Sequence, residues 1–281
     1  MVLTAFENGI THFDLADNYG TPAGSAESTF GHILRTDLGA HRDEILIATK
    51  AGHEMWPGPY GDWGSRKHLV AACDQSLRRM GVEYADIFYS HRPDPETPLE
   101  ETMQALDYIV RSGRALYVGL SKYPAELAAR AMEMLRSLGT PCVVNQLRYS
   151  MLVREPEREL FPLFEEFGTG VVSFSPLAQG QLSERYLTGI PADSRAARGG
   201  FLKVADVEGN LSKIKALHEI AVRRGQSLSQ MAIAWQLRPG SAVTSVIVGV
   251  SSVGQLLQNI GALECPSFTA DELAEIDGIL A

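Results

Sequence analysis

Four polar residues fall where short apolar runs end: Asp14 in GITHFDLADNYG, with Tyr19 five residues on, Lys50 in ILIATKAG and His91 in YADIFYSHRPD. Each type has a use in proton transfer. A lysine at the end of a buried strand needs a partner, and an aspartate supplies one. An ammonium beside a tyrosine hydroxyl favours the phenolate and lowers the tyrosine pKa, which suits the phenol to proton donation near neutral pH. A histidine nearby can orient a carbonyl oxygen. Singly, each has a plainer reading: a turn or cap aspartate, a solvated lysine, a packed histidine. The set of four, in this order on successive strands, points to acid chemistry on a carbonyl.

Those residues need strands to carry them to one mouth. Runs rich in Val, Ile, Phe and Tyr recur along the chain: ITHFDLA (10–16), ILIATKA (45–51), DIFYSH (86–91), ALYVGLS (115–121), CVVNQLR (142–148), GVVSFSP (170–176) and SVIVGV (245–250). Several are almost continuously apolar, as parallel strands covered on both faces are. Amphipathic stretches lie between them. SRKHLVAACDQSLRRMG (65–81) opens on a capping serine and closes on glycine. PLEETMQALDYIVRSG (98–113) opens on proline and acids and closes on arginine and glycine, matching the helix dipole. Repeated β-then-α predicts an α/β fold with a parallel sheet. The TIM (β/α)8 barrel, with its active site at the C-terminal strand ends, is the closed form of that pattern. Seven strands are counted where a barrel has eight. MVLTAFENG reads as the tail of a helix, so the first strand is read as the missing one. The alternative is an overlooked strand in 178–209, a Gly-, Pro- and Arg-bearing stretch that otherwise reads as a lid loop. No GxGxxG follows the first strand, which disfavours a Rossmann domain.

Bulk properties narrow the class. The chain has 281 residues, 45% of them apolar and 21% charged, with a net charge of −9. The acidic balance argues against a nucleic-acid surface, which needs a basic face. It leaves room for an anionic cofactor held by local donors. No apolar run reaches the ~18 residues of a membrane span, and the N-terminus lacks the basic start of a secretory signal. Cys73, Cys142 and Cys265 share no metal or redox spacing and read as reduced thiols of a cytoplasmic protein. The seven histidines show no metal-ligand spacing, so no metal is expected.

GITHFDLADNYG, ILIATKAG and YADIFYSHRPD resemble the three signature regions of the aldo-keto reductases, and the resemblance runs across nearly the whole chain. It implies a single barrel domain over 1–281, without the family's N-terminal hairpin and first strand. It implies that Asp14, Tyr19, Lys50 and His91 are a catalytic tetrad: Tyr19 the general acid, Lys50 tuning it, Asp14 holding Lys50, His91 positioning the carbonyl. GLSKY and NQLRYS imply that Ser121, Lys122 and Gln146 meet a nicotinamide carboxamide. SFSPLAQGQL implies a stacking and pyrophosphate segment at Phe174, Ser175, Leu177, Gln179 and Gly180. VGVSSVGQLLQNIGAL implies a clasp on the adenosine 2′-phosphate and adenine by Gly249, Ser251, Gln255, Gln258 and Asn259, although the same serines would serve as helix caps. NADPH (NADP+) is the cofactor expected, while 249–259 contains no Arg or Lys. MWPGPYGDWGSRKHL, SHRPDPETPLEETMQALD and FLKVADVEGNLSKIKAL resemble a bacterial branch that includes L-glyceraldehyde 3-phosphate reductase, near the potassium-channel β-subunit branch. That branch implies small aldehydes such as L-glyceraldehyde 3-phosphate or methylglyoxal. Trp56 and Tyr60 are candidate pocket walls or loop packing, and Arg92, with Arg148, is a candidate contact for a substrate phosphate. A nucleotide-sensing regulatory subunit and an inactive fragment are the rival readings, and copies of the chain could associate as a homo-oligomer.

Overall fold

The strand runs are rich in β-branched and aromatic residues and the stretches between them carry caps at both ends, and the elements form accordingly. In the computed structural model, which describes residues 1–281, the order is α1 (Val2–Glu7), β1 (His12–Asp14), α2 (Ser25–Ile33), β2 (Leu46–Ala51), α3 (Arg66–Met80), β3 (Ala85–Ser90), α4 (Leu99–Arg111), β4 (Ala115–Ser121), α5 (Ala125–Leu138), β5 (Cys142–Arg148), α6 (Pro156–Phe167), β6 (Gly170–Phe174), α7 (Arg195–Arg198), α8 (Val204–Arg223), α9 (Leu228–Gln236), β7 (Val243–Val246), α10 (Val253–Ile260) and α11 (Ala270–Leu280). Each predicted run overlaps one of the seven strands, but β1 is shorter than 10–16 and β7 starts before SVIVGV and shares only residues 245–246 with it. The stretch 178–209 holds no strand; it folds into 3-10 turns at Ala178–Gly180 and Glu184–Tyr186, then α7 and the start of α8. The chain divides into two compact parts, residues 1–147 with 158–171, and residues 148–157 with 172–281.

In the first part β1 to β5 pair in parallel in chain order, with His12 opposite Leu46, Lys50 opposite Tyr89, and Tyr89 opposite Gly119. This register brings Asp14, Lys50 and the residues after β3 to neighbouring strand ends. The helices start and stop as their ends dictate. Ser65 caps α3 by accepting from the His68 N–H at 3.3 Å, and Gly81 ends it in the left-handed region at φ 70°. Ile47, Leu69, Phe88, Met103, Leu106, Ile109, Val118 and Leu120 are fully buried between strands and helices. Gly119 has a steric reason to be glycine: a Cβ there would run into the Tyr89 ring on the adjacent strand and lie 3.0 Å from Val144 Cγ1.

In the second part the Ile247 N–H donates to Ser173 O at 2.8 Å beside β7. Ser227 with Gln230 and Thr269 with Glu272 form capping boxes that start α9 and α11. Trp235 is buried under Tyr149, with ring centroids 5.5 Å apart. Tyr186, Ala196, Leu202 and Val207 form a separate apolar cluster with Ile190 packed on it. The stretch that reads as a lid loop is therefore a structured segment with a small core of its own.

The close approach at Gly119 has a measurable consequence. Gly119→Ala is expected to cost about 1–3 kcal/mol, as overpacking of a filled core does. That should appear as a Tm lower by several degrees in a thermal melt; an unchanged melt would show that the Tyr89 ring can move aside.

Candidate active site

The site is assembled from strand ends of the first part. Lys50, fully buried on β2, donates to Asp14 Oδ2 at 2.6 Å and to the Leu15 carbonyl at 2.7 Å. Asp14 closes β1, and its other oxygen accepts from Gln146 Nε2 at 2.9 Å. The Lys50 ammonium lies 4.9 Å from the centre of the Tyr19 ring and 5.7 Å from that of Tyr89. The Tyr19 and His91 rings meet edge to face at 5.8 Å. The four residues predicted to act together are therefore together. Gln146, expected to face a cofactor amide, also holds Asp14.

Charge settles their protonation states. Burial drives His91 down to about 2, helped by the charges of Lys50, Lys122, His53 and Arg92. The ring is neutral at any working pH, its Nδ1 is buried without a hydrogen-bond partner, and a neutral imidazole can donate to a carbonyl oxygen. Tyr19 does not follow the expectation of a lowered pKa. Burial, then Asp14, then Asp17 push it up to about 12. The Lys50 charge is already matched by Asp14 at 2.6 Å, so the carboxylates outweigh it at the phenol. Tyr19 is held as a protonated donor. Burial lowers the Lys50 pKa, and the charge and hydrogen bond of Asp14 oppose that shift.

The substrate-side residues are committed to structure. Arg92 donates to the Gly52 carbonyl at 2.6 Å and to Asp62 at 2.7 Å, and stacks 3.6 Å over the Trp63 ring. It fastens the 52–63 loop rather than presenting an open guanidinium. Trp56 packs on His68 at 5.0 Å. Tyr60, about half exposed, bonds His68 through its carbonyl at 3.1 Å and carries Lys67 over its ring at 4.9 Å. Both aromatics tie the loop to α3. His53, absent from the sequence reading, meets His91 edge to face at 4.5 Å. Arg148 is exposed.

Two groups of residues fit a nicotinamide cofactor. In the first part Ser121 ends β4 with a buried hydroxyl that has no partner, and Lys122 follows it in the left-handed region at φ 63°. In the second part a cleft of about 970 Å³ is lined by Ser175, Leu177, Gln179, Gly180, Gly249, Ser251, Gln255, Gln258 and Asn259 among others. Phe174, expected to stack on the cofactor, ends β6 half-buried and is not among the residues lining this cleft. Ser175, Ala178 and Gln179 all have positive φ, a concentration of strain that marks functional turns. Ser252 caps α10 through the Gln255 N–H at 3.2 Å, while the Ser251 N–H and hydroxyl both donate to Gln255 Oε1. The cap reading and the binding reading of this loop thus fall on different serines. Sequence reasoning missed Arg185, Arg195 and Arg198, which also line the cleft; three arginines within fourteen residues of an otherwise irregular stretch were the available signal. Arg185 is paired with Asp193 at 2.8 Å, which lines the cleft too, so Arg195 and Arg198 bring the positive charge that 249–259 lacks.

The Aldo/keto reductase family model matches residues 1–281. The chain is 50% identical to L-glyceraldehyde 3-phosphate reductase of Escherichia coli K12, over 99% of this chain and 82% of the relative. It is 36% identical to a probable voltage-gated potassium channel subunit beta of Oryza sativa subsp. japonica, over 97% of this chain and 84% of that protein. An Arabidopsis thaliana subunit of the same description is also 36% identical, over 98% and 84%. No helix is long and apolar enough to cross a membrane. With a parallel α/β frame, a buried Lys50–Asp14 pair under Tyr19 and a match over its whole length, the chain belongs to the aldo-keto reductase family of oxidoreductases.

Proposed function

We propose that residues 1–281 form one reductase domain that converts small aldehydes to alcohols with NADPH, Tyr19 giving the proton to the carbonyl oxygen. The observation that carries this reading is the buried Lys50–Asp14 pair beneath a protonated Tyr19 with a neutral His91 at its edge. A carbonyl oxygen between the Tyr19 hydroxyl and a His91 ring nitrogen would be polarised by two donors. As negative charge grows on that oxygen, the phenol proton follows it, and the Lys50 ammonium stabilises the phenolate left behind. Asp14 and Gln146 keep the ammonium in place. The reduced nicotinamide, when bound, supplies the hydride. Ser121 and Gln146 are the residues proposed for its carboxamide, and the cleft from Ser175 to Asn259 is proposed, by its own lining, as a nucleotide site. We assign the 2′-phosphate to Ser251, Gln255 and the arginines of 185–198. L-Glyceraldehyde 3-phosphate and methylglyoxal are the substrates proposed, on the likeness to the bacterial reductase. A second reading, a nucleotide-sensing regulatory subunit, draws on the channel-subunit relatives; steady turnover of methylglyoxal with NADPH excludes it.

Tyr19→Phe should bind NADPH as before and lose about 10²–10⁴-fold in kcat, the usual share of general acid catalysis. Near-normal turnover in that variant would remove Tyr19 from the mechanism. Ser251→Asp places a negative charge against the 2′-phosphate. It should weaken NADPH by at least about tenfold, 1.4 kcal/mol, with NADH little affected, as read by titrating both nucleotides. Equal losses for the two would refute the 2′-phosphate assignment.

A further inference from the structure

Between Asp14 and Tyr19 the chain buries a second carboxyl that the reaction described above does not use. Asp17 has no solvent exposure, no side chain donates to either of its oxygens, and the Asn18 backbone N–H is the one donor that acts on it. The backbone that carries it is pinned on both sides. The Leu15 N–H donates to Ala48 O at 2.8 Å and the Asp17 N–H to the carbonyl of Lys50 at 3.0 Å, extending the ladder to the lysine strand. The Tyr19 N–H donates to Ala16 O at 3.1 Å, and Tyr19 O accepts from the Ala26 N–H at 3.2 Å.

The charges around Asp17 are already matched elsewhere. Glu27 on α2, also fully buried, accepts from Thr49 Oγ1 at 2.5 Å and from Arg79 Nε on α3 at 2.6 Å. Arg79 also reaches Ser76 at 3.2 Å. Lys50 on β2 is held by Asp14 and Leu15 O. Of the charged groups that act on Asp17, Glu27 opposes its ionisation and Arg79 and Lys50 favour it. A buried carboxyl with no matched cation and a single backbone donor takes up a proton rather than remain charged.

We propose that Asp17 is a positioning residue of this reductase: it carries a proton while Tyr19 acts as the acid, and loss of that proton slows proton donation. The proposal rests on the assignment of Tyr19 as the acid. Burial first, then the Glu27 charge, raises Asp17 to about 7, against the Asn18 backbone N–H, Arg79 and Lys50. An anionic Asp17 adds a negative charge two residues from the phenol and makes it a weaker acid. Reduction should therefore be fastest below about pH 7. The linkage has the same sign. The folded value lies above the ordinary aspartate value of 3.8, so stability from the protonated form is fully present below 3.8 and lost as pH rises through about 7.

The test is kcat against pH, from about pH 6 to 9, at saturating NADPH and methylglyoxal, with infrared spectra of the same proteins. In the natural sequence kcat should fall several-fold above neutrality, and the carbonyl band of a protonated carboxylic acid should fade over the same range. Asp17→Asn should lose both the inflection and the band and should melt higher than the natural sequence above pH 7. Glu27→Gln removes the charge that opposes ionisation and should move inflection and band to lower pH, which keeps the proposal testable if Asp17→Asn folds poorly. An inflection that persists in Asp17→Asn while Tyr19→Phe is inactive overturns this proposal alone. Normal turnover by Tyr19→Phe overturns the acid assignment and this proposal with it. A missing carbonyl band at pH 6 overturns it independently of activity.

Discussion

The ion pair between Lys50 and Asp14 is the constraint around which the site is arranged. An ammonium with no exposure is tolerable only with a close partner and its remaining protons bonded, and both conditions are met, by Asp14 at 2.6 Å and Leu15 O at 2.7 Å. The pair fixes β1 against β2 and recruits Gln146 from β5 to the second aspartate oxygen. It also sets the electrostatics nearby. Lys50 helps keep His91 neutral, while Asp14 helps keep Tyr19 protonated. Burial is the larger cause at both groups, and the pair adds to it.

Much of this was legible in the sequence because it depends on local pattern. ALYVGLS and CVVNQLR have the limits of β4 and β5, and Ser65 and Gly81 bound α3 as capping chemistry requires. That Asp14, Tyr19, Lys50 and His91 would lie together was legible because strand ends in such a fold face one way. What was not legible depends on side chains far apart in sequence. Arg92 reads as a candidate for phosphate, yet its bonds to Gly52 and Asp62 and its stacking on Trp63 come from loop geometry that no spacing predicts. The Tyr19 pKa went against expectation because burial, which the sequence does not show, raises it first and the Asp14 and Asp17 charges add to that.

The irregular stretch teaches the same lesson in the opposite direction. Its composition reads as a loop, but Tyr186, Ala196, Leu202 and Val207 are spaced without a helical or strand period and still converge. Ion pairing of Arg185 with Asp193 at 2.8 Å and the bond from the Leu228 N–H to Glu184 add polar anchors. Both partners of the ion pair are well exposed, so its worth is small; the apolar cluster is the stronger restraint.

The strained turn after β6 is shaped from the interior. Gln236, the last residue of α9 and fully buried, accepts from Ser173 Oγ at 2.7 Å and donates to the Pro176 carbonyl at 3.3 Å. Positive φ at Ser175, Ala178 and Gln179 persists because that amide and the packing of Leu177 on Ile233, Ala234 and Ala262 leave no easier path. Surface loops commonly open by local fluctuations of low free energy, while elements clamped into a core open only with it. The rim of this cleft belongs to the second kind, so its amides should exchange with solvent together with α9, in one cooperative unit.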